Sequence, residues 1–190
     1  MKETKVYQLK VTLRGTRPPI WRRFQVPADM PLSQLHGVLQ VVMGWTGGHL
    51  HEFRVGDTHY GEPNPEYGFD VKNEEKACLD GVLRRPKTRM VYEYDFGDGW
   101  EHDVMLETAI PSSVSVRYPV VLAGRRRCPP EDVGGVGGFY HFLQAIADPK
   151  HPDHKDLRDW WSGSFDPDAF DVGEANEVFH GKRNRRRPDV

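Results

Sequence analysis

The chain has 190 residues, of which 37% are hydrophobic and 28% charged, and its formal net charge is -2; this is the balance of a globular protein with a polar surface. Its apolar runs are short, as at Val120-Val121-Leu122-Ala123, whereas a membrane span needs about 20 apolar residues. No such span is therefore expected, and the charged start Met1-Lys2-Glu3-Thr4-Lys5, with no apolar core behind it, predicts no signal peptide and a cytoplasmic location.

In chain order, Tyr7, Leu9, Val11 and Leu13 alternate, as one face of a half-buried strand requires. Residues 15–19 turn the chain, and residues 20–26 read as a second strand in an antiparallel hairpin. Leu32, Leu35, Leu39 and Val42 then recur at helical spacing, with Pro31 at the first helical position and Gly44 as the stop. This amphipathic helix is expected to cross the sheet. His36 lies beside its apolar stripe and reads as a packed histidine.

Residues 49–55 read as a strand, residues 56–76 as a long polar loop, and residues 77–83 as a short element. The clearest hairpin spans residues 89–107. A three-residue Gly97-Asp98-Gly99 loop would set Phe96 opposite Trp100, Tyr94 opposite His102 and Tyr92 opposite Val104, giving one mostly apolar face. Residues 139–146 and 152–161 read as helices. In Phe165-Asp166-Pro167, Asp166 reads as a cap and Pro167 as the first residue of a further helix. The pattern is α+β: an antiparallel or mixed sheet crossed by one amphipathic helix, then a helical C-terminal part. Residues 1–181 form a single domain in this reading.

Cys78 and Cys128 are the two cysteines, too few for a disulfide framework and without a C-x-x-C pair. Residues 182–190 carry five basic residues and one aspartate, which leaves the preceding body at about -6. This basic tail reads as solvated and disordered, or as a nucleic-acid contact through Arg183, Arg185, Arg186 and Arg187.

Four constellations could carry chemistry. His49 and His51 are two apart on the predicted strand, hence on one face, and could be half of a zinc or other divalent-metal site. His102, Asp95, Glu131, Asp132 or Cys128 could complete it, with His102 taken as the third ligand; packed and solvated histidines are the plainer alternative. The hairpin tip gathers Asp95, Asp98, Glu101 and Asp103. Asp95 opposite Glu101 would need a cation, an arginine or a shared proton, unless these residues only hold the turn. The glycine-rich stretch 128–138 leads into a helix, but it lacks the lysine and hydroxyl of a P-loop, and Glu131 and Asp132 would repel phosphate. Finally, Trp21, Trp45, Trp100, Trp160 and Trp161 lie among arginines, an arrangement that can stack bases but suits core packing as well.

The runs Arg17-Pro18-Pro19-Ile20-Trp21-Arg22-Arg23, Met43-Gly44-Trp45, His49-Leu50-His51-Glu52-Phe53, Tyr94-Asp95-Phe96-Gly97-Asp98-Gly99-Trp100-Glu101-His102 and Cys128-Pro129-Pro130-Glu131-Asp132-Val133-Gly134-Gly135 together resemble the plasmid pRiA4b ORF-3-like family, over about residues 5–180. The resemblance implies a small protein linked to plasmids or mobile elements and carries over no catalytic residue. It groups Asp95, Asp98, Trp100, Glu101, Glu131 and Asp132 as candidates for one polar cleft, or for a hydrogen-bonded network that fixes loops. The leading functional expectation is a non-catalytic binding or accessory module, with nucleic acid or another protein as partner. The alternative is a metal-dependent, hydrolase-like enzyme using the His/Asp/Glu cleft.

Overall fold

The computed structural model describes residues 5–63 and 71–181; Arg183, Arg185, Arg186 and Arg187 lie outside them. The fold is α+β, and eight strands form one mixed sheet among the described residues. They are β1 (Lys5–Leu13), β2 (Trp21–Pro27), β3 (His51–Val55), β4 (Thr58–Gly61), β5 (Lys72–Asn73), β6 (Arg89–Tyr94), β7 (Trp100–Pro111) and β8 (Val120–Arg125), in the order β5-β4-β3-β6-β7-β1-β2-β8. All pairings are antiparallel except β4 with β5. The helices are α1 (Leu32–Met43), α2 (Leu79–Val82), α3 (Gly135–Ala147), α4 (His154–Trp161) and α5 (Val172–His180). No helix among the described residues is long and apolar enough to cross a membrane.

Period-2 alternation decides which face of the sheet is dry. Tyr7, Leu9, Val11 and Leu13 on β1, Phe24 and Val26 on β2, Phe53 on β3, and Trp100, Val104 and Leu106 on β7 are all buried. They share one core with Leu32, Leu35, Leu39 and Val42 of α1, the helix stripe expected to cover the sheet. Gly44 ends α1 in the left-handed region, and its N–H returns to the Gln40 carbonyl at 2.8 Å. Pro31 is the residue before the first helical turn rather than its first member, with ψ at 149°.

Other expectations shift for local reasons. The stretch read as a loop over 56–76 contains β4, β5 and a 3₁₀ turn at Glu74–Lys76, elements too short for periodicity to reveal. Asp166 accepts from the Asp168 amide and makes a turn instead of a cap; Asp171 caps α5 by accepting from the Glu174 amide. The edge strand β8 is shielded by α5, where Asn176 accepts from the Val121 amide and donates to its carbonyl, satisfying backbone groups that an edge would otherwise leave open.

The hairpin of β6 and β7 pairs Tyr94 with Trp100 and Tyr92 with His102. The loop is therefore five residues, 95–99, and the register is two residues from the three-residue expectation. A shift of two leaves every side chain on its expected face. The longer loop is closed by the Gly99 amide donating to the Asp95 carbonyl at 2.6 Å, with Asp95 itself left-handed at φ 57°.

Candidate functional site

Three loops meet at one end of the sheet: residues 44–50 between α1 and β3, the hairpin tip 95–99, and residues 126–134 before α3. Glu131 ties them together. Its carboxylate accepts from the Thr46 amide and hydroxyl at 3.1 and 2.8 Å and from the Tyr94 hydroxyl at 2.6 Å. Burial first, then the Glu131 bond and charge, raise the Tyr94 pKa. Asp98 accepts from the Gly134 amide, and Asp95 accepts from the amides of Gly97 and Asp98. Gly135 approaches the Asp98 carbonyl so closely that a Cβ there would lie 2.5 Å from its oxygen. Beneath the junction, the Trp45 ring packs against Tyr94, Trp100 and His102 while its N–H donates to the Pro129 carbonyl.

Asp95, Asp98, Glu131 and Asp132 thus share one region. Trp100 does not line it, being fully buried in the core. Glu101 lies on the opposite face of the sheet, where Glu52, Glu93 and Glu101 align across β3, β6 and β7. Arg54 pairs with all three, and Arg14 pairs with Glu101 and Asp103. The expected clash of carboxylates therefore falls between Glu93 and Glu101, and arginine relieves it. The hydrogen bond from Arg14 is the largest influence and lowers the Glu101 pKa; burial opposes it, and the bond and charge of Arg54 lower it further.

The three histidines proposed as one ligand set occupy different environments. His49 precedes β3, so strand alternation does not place it beside His51. Its Nε2 is 3.3 Å from an Asp132 oxygen, and its Nδ1 is 3.8 Å from an Asp95 oxygen. One donor atom from each of these three residues lies within 4.8 Å of the others, a spacing suited to a divalent cation. His51 instead contacts Glu74 through Nε2 at 2.9 Å. His102 is sealed in the core, with Nδ1 3.2 Å from the Tyr92 carbonyl. Burial pushes its pKa down to about 4.

Sequence reasoning missed the groups beneath the cleft. His36 stacks on His51 with centroids 3.6 Å apart, and its Nδ1 is 2.8 Å from the Tyr92 hydroxyl, which also accepts from the Gln40 amide. Burial, and secondarily the neighbouring His51, push the His36 pKa to about 4. Glu74 is 6% exposed on the 3₁₀ turn read as loop. The available signal was His36 with Gln40, two polar residues four apart on a helix whose other buried positions are apolar.

These groups border a cavity of about 540 Å³, within the range of small-molecule sites. It is bordered by His36, His49 and His51, by Glu52, Glu62, Glu74 and Glu93, and by the apolar Leu50, Val71 and Phe96. A larger groove of about 900 Å³ separates α1 from the C-terminal helices, with Trp45, Trp160, Trp161 and Phe170 in its walls. Arg22 borders that groove, but its donors are engaged by the carbonyls of Val42, Trp21 and Arg125 and by the Cys128 sulfur.

The profile of the plasmid pRiA4b ORF-3-like protein family matches residues 5–174. The uncharacterised protein y4hQ of Sinorhizobium fredii (strain NBRC 101917 / NGR234) is 40% identical over 175 residues, spanning 91% of this chain and 90% of that one. The crystal structure of MM3350, a protein of unknown function from Methanosarcina mazei Go1, is similar with a TM-score of 0.80 and 36% identity, over 90% of this chain and 97% of that chain.

Proposed function

We propose a role for this chain, which belongs to the plasmid pRiA4b ORF-3-like protein family, as a non-catalytic binding module for a small cationic ligand. The observation that carries this reading is the composition of the 540 Å³ cavity: four glutamates and three histidines border it, and no lysine or arginine does among the described residues. Arg54 engages Glu52 and Glu93 and His51 engages one oxygen of Glu74, so Glu62 and the second oxygen of Glu74 are proposed to meet a ligand. Glu74 is the more effective, because it is held out of water where a charge interaction is least screened. Leu50, Val71 and Phe96 would cover the apolar part of an amine or guanidine. The test is a thermal-shift and titration series of primary amines and guanidines. The expected result is stabilisation by a member of the series, with the affinity lost in Glu74→Gln. Stabilisation by anions alone, or by no member of the series, overturns the reading.

A second reading, a metal-dependent and hydrolase-like enzyme, is favoured by the approach of His49, Asp95 and Asp132. A divalent ion there would activate water beside the cavity. Elemental analysis of protein purified without affinity metal tests it, and His49→Ala should abolish the metal held by this cluster. We place the protein in the cytoplasm, in keeping with its two free thiols, and in a plasmid or mobile-element context, which rests on the family name. Arg183, Arg185, Arg186 and Arg187 are proposed nucleic-acid contacts; a salt-sensitive gel shift lost on removing residues 182–190 would support them.

A further inference from the structure

A second group of metal-ligating side chains lies away from the cleft, where α3 meets the turn that leads into α4. His141 projects from the exposed side of α3, whose Phe139, Phe142 and Ala145 face the core. His151 and Asp153 belong to the turn. The Asp153 Oδ2 atom is 3.0 Å from His141 Nε2 and 4.0 Å from His151 Nδ1. The two imidazoles stand edge to face with centroids 5.2 Å apart. One donor atom from each residue lies within 4.8 Å of the other two.

We propose that His141, His151 and Asp153 bind a zinc-class transition-metal ion that clamps the joint between α3 and α4. Two imidazoles and one carboxylate are the donor set such ions favour, and water can supply the fourth position. Ligand bonds of about 2.0–2.1 Å in a tetrahedral site put donor atoms about 3.3 Å apart, between the two separations seen. The backbone that presents the donors is already set: the His151 amide donates to the Asp148 carbonyl, and the His154 amide to the His151 carbonyl. The Lys150 amide donates to the Asp148 side chain. Little chain ordering therefore remains when the ion enters. The ion takes the place of the His141–Asp153 contact and of the 3.2 Å bond from the Asp153 amide to His151 Nδ1. Its effect reaches further than the turn, because α4 carries Trp160 and Trp161, whose rings pack on Phe142 of α3 and wall the larger groove.

The test is isothermal titration of the full-length, tag-free chain with zinc chloride after chelator treatment. Cobalt absorption gives a second readout of a nitrogen- and oxygen-ligated, sulfur-free centre. The expected result is one equivalent taken up by the wild type and by His49→Ala, and lost in both His141→Ala and Asp153→Asn. The His141 side chain is half exposed, so that variant should keep the wild-type melting temperature in chelator; if it does not, Asp153→Asn decides. Uptake that survives in both variants overturns the proposal, as does the absence of uptake by the wild type. Uptake lost only in His49→Ala would place the ion in the cleft, supporting the metal-dependent reading of that site and removing this one.

Discussion

The rings of His36 and His51 lie face to face, their centroids 3.6 Å apart and their planes within 8° of parallel. Two imidazoles at that separation resist a second charge, and the pair is flanked by Tyr92 on the His36 side and Glu74 on the His51 side. The floor of the cleft is thus a connected polar network, Gln40–Tyr92–His36–His51–Glu74, built across α1, β6, β3 and a 3₁₀ turn. Such networks fix geometry when their members are satisfied.

The same burial gives a pH dependence of stability. His36 and His102 both have folded-state pKa values near 4, below the ordinary histidine value of about 6.5. Between those limits the unfolded chain binds more protons than the folded one, so stability falls as pH drops from about 6.5 to about 4 and is flat in this contribution above and below. For the fully buried His102 the loss is on the order of 3 kcal/mol. Urea unfolding at pH 7, 5.5 and 4.5 should show this decline. Stability that stays level across the interval would mean that neither histidine is held neutral.

On the other face of the sheet, Arg54 is the cation between Glu52, Glu93 and Glu101. Removing it in Arg54→Ala leaves three partly covered carboxylates in a row and should cost about 1–3 kcal/mol, more at low salt than at high salt. Adding Glu93→Gln to that variant should recover part of the loss, because the central repulsion is gone. A double variant as unstable as the single one would show that Arg54 acts by packing alone.

The row also shows what sequence can and cannot deliver. Alternation on β1 and β7 assigns faces correctly, and the carboxylate conflict at the hairpin was legible, together with its resolution by an arginine as one of three options. Its partners were off by two residues, since a five-residue loop closed by a left-handed Asp95 gives the same facial pattern as a three-residue loop. His49 and His51 look equivalent in the sequence, yet the bend before β3 sends one toward Asp132 and the other toward Glu74. The approach of His36 to His51, 15 positions later, depends on how α1 crosses the sheet, a tertiary relation that no local spacing encodes.

Gly135 and Gly99 separate backbone freedom from close approach. Both are left-handed, at φ 67° and 66°. A Cβ at Gly99 meets nothing within 4 Å, whereas at Gly135 it would lie 2.5 Å from the Asp98 carbonyl oxygen. Gly99→Ala should therefore cost about 1–2 kcal/mol for the conformation alone. Gly135→Ala should cost about 3 kcal/mol or more, because the overlap adds to it, and should weaken any ligand of the cleft by moving the hairpin tip. Equal melting temperatures for the two variants would contradict this docking of residues 126–134 onto the tip.

Cys128 poses a contest between burial and charge. Its sulfur is 3.0 Å from an Arg22 nitrogen and 3.6 Å from the Met43 sulfur, and Arg22 is itself buried over the Phe170 ring. The guanidinium favours the thiolate, but burial is the larger effect, and the thiol is pushed up to about 11. Arg22 bears this arrangement because backbone carbonyls take up three of its hydrogen bonds, so the sulfur need not be its counter-ion. At pH 8 a thiol reagent should therefore modify only Cys78, which is partly exposed, and reach Cys128 only after denaturant is added. Rapid labelling of Cys128 in the native protein would mean that Arg22 holds it as a thiolate, and that the floor of the larger groove carries a nucleophile.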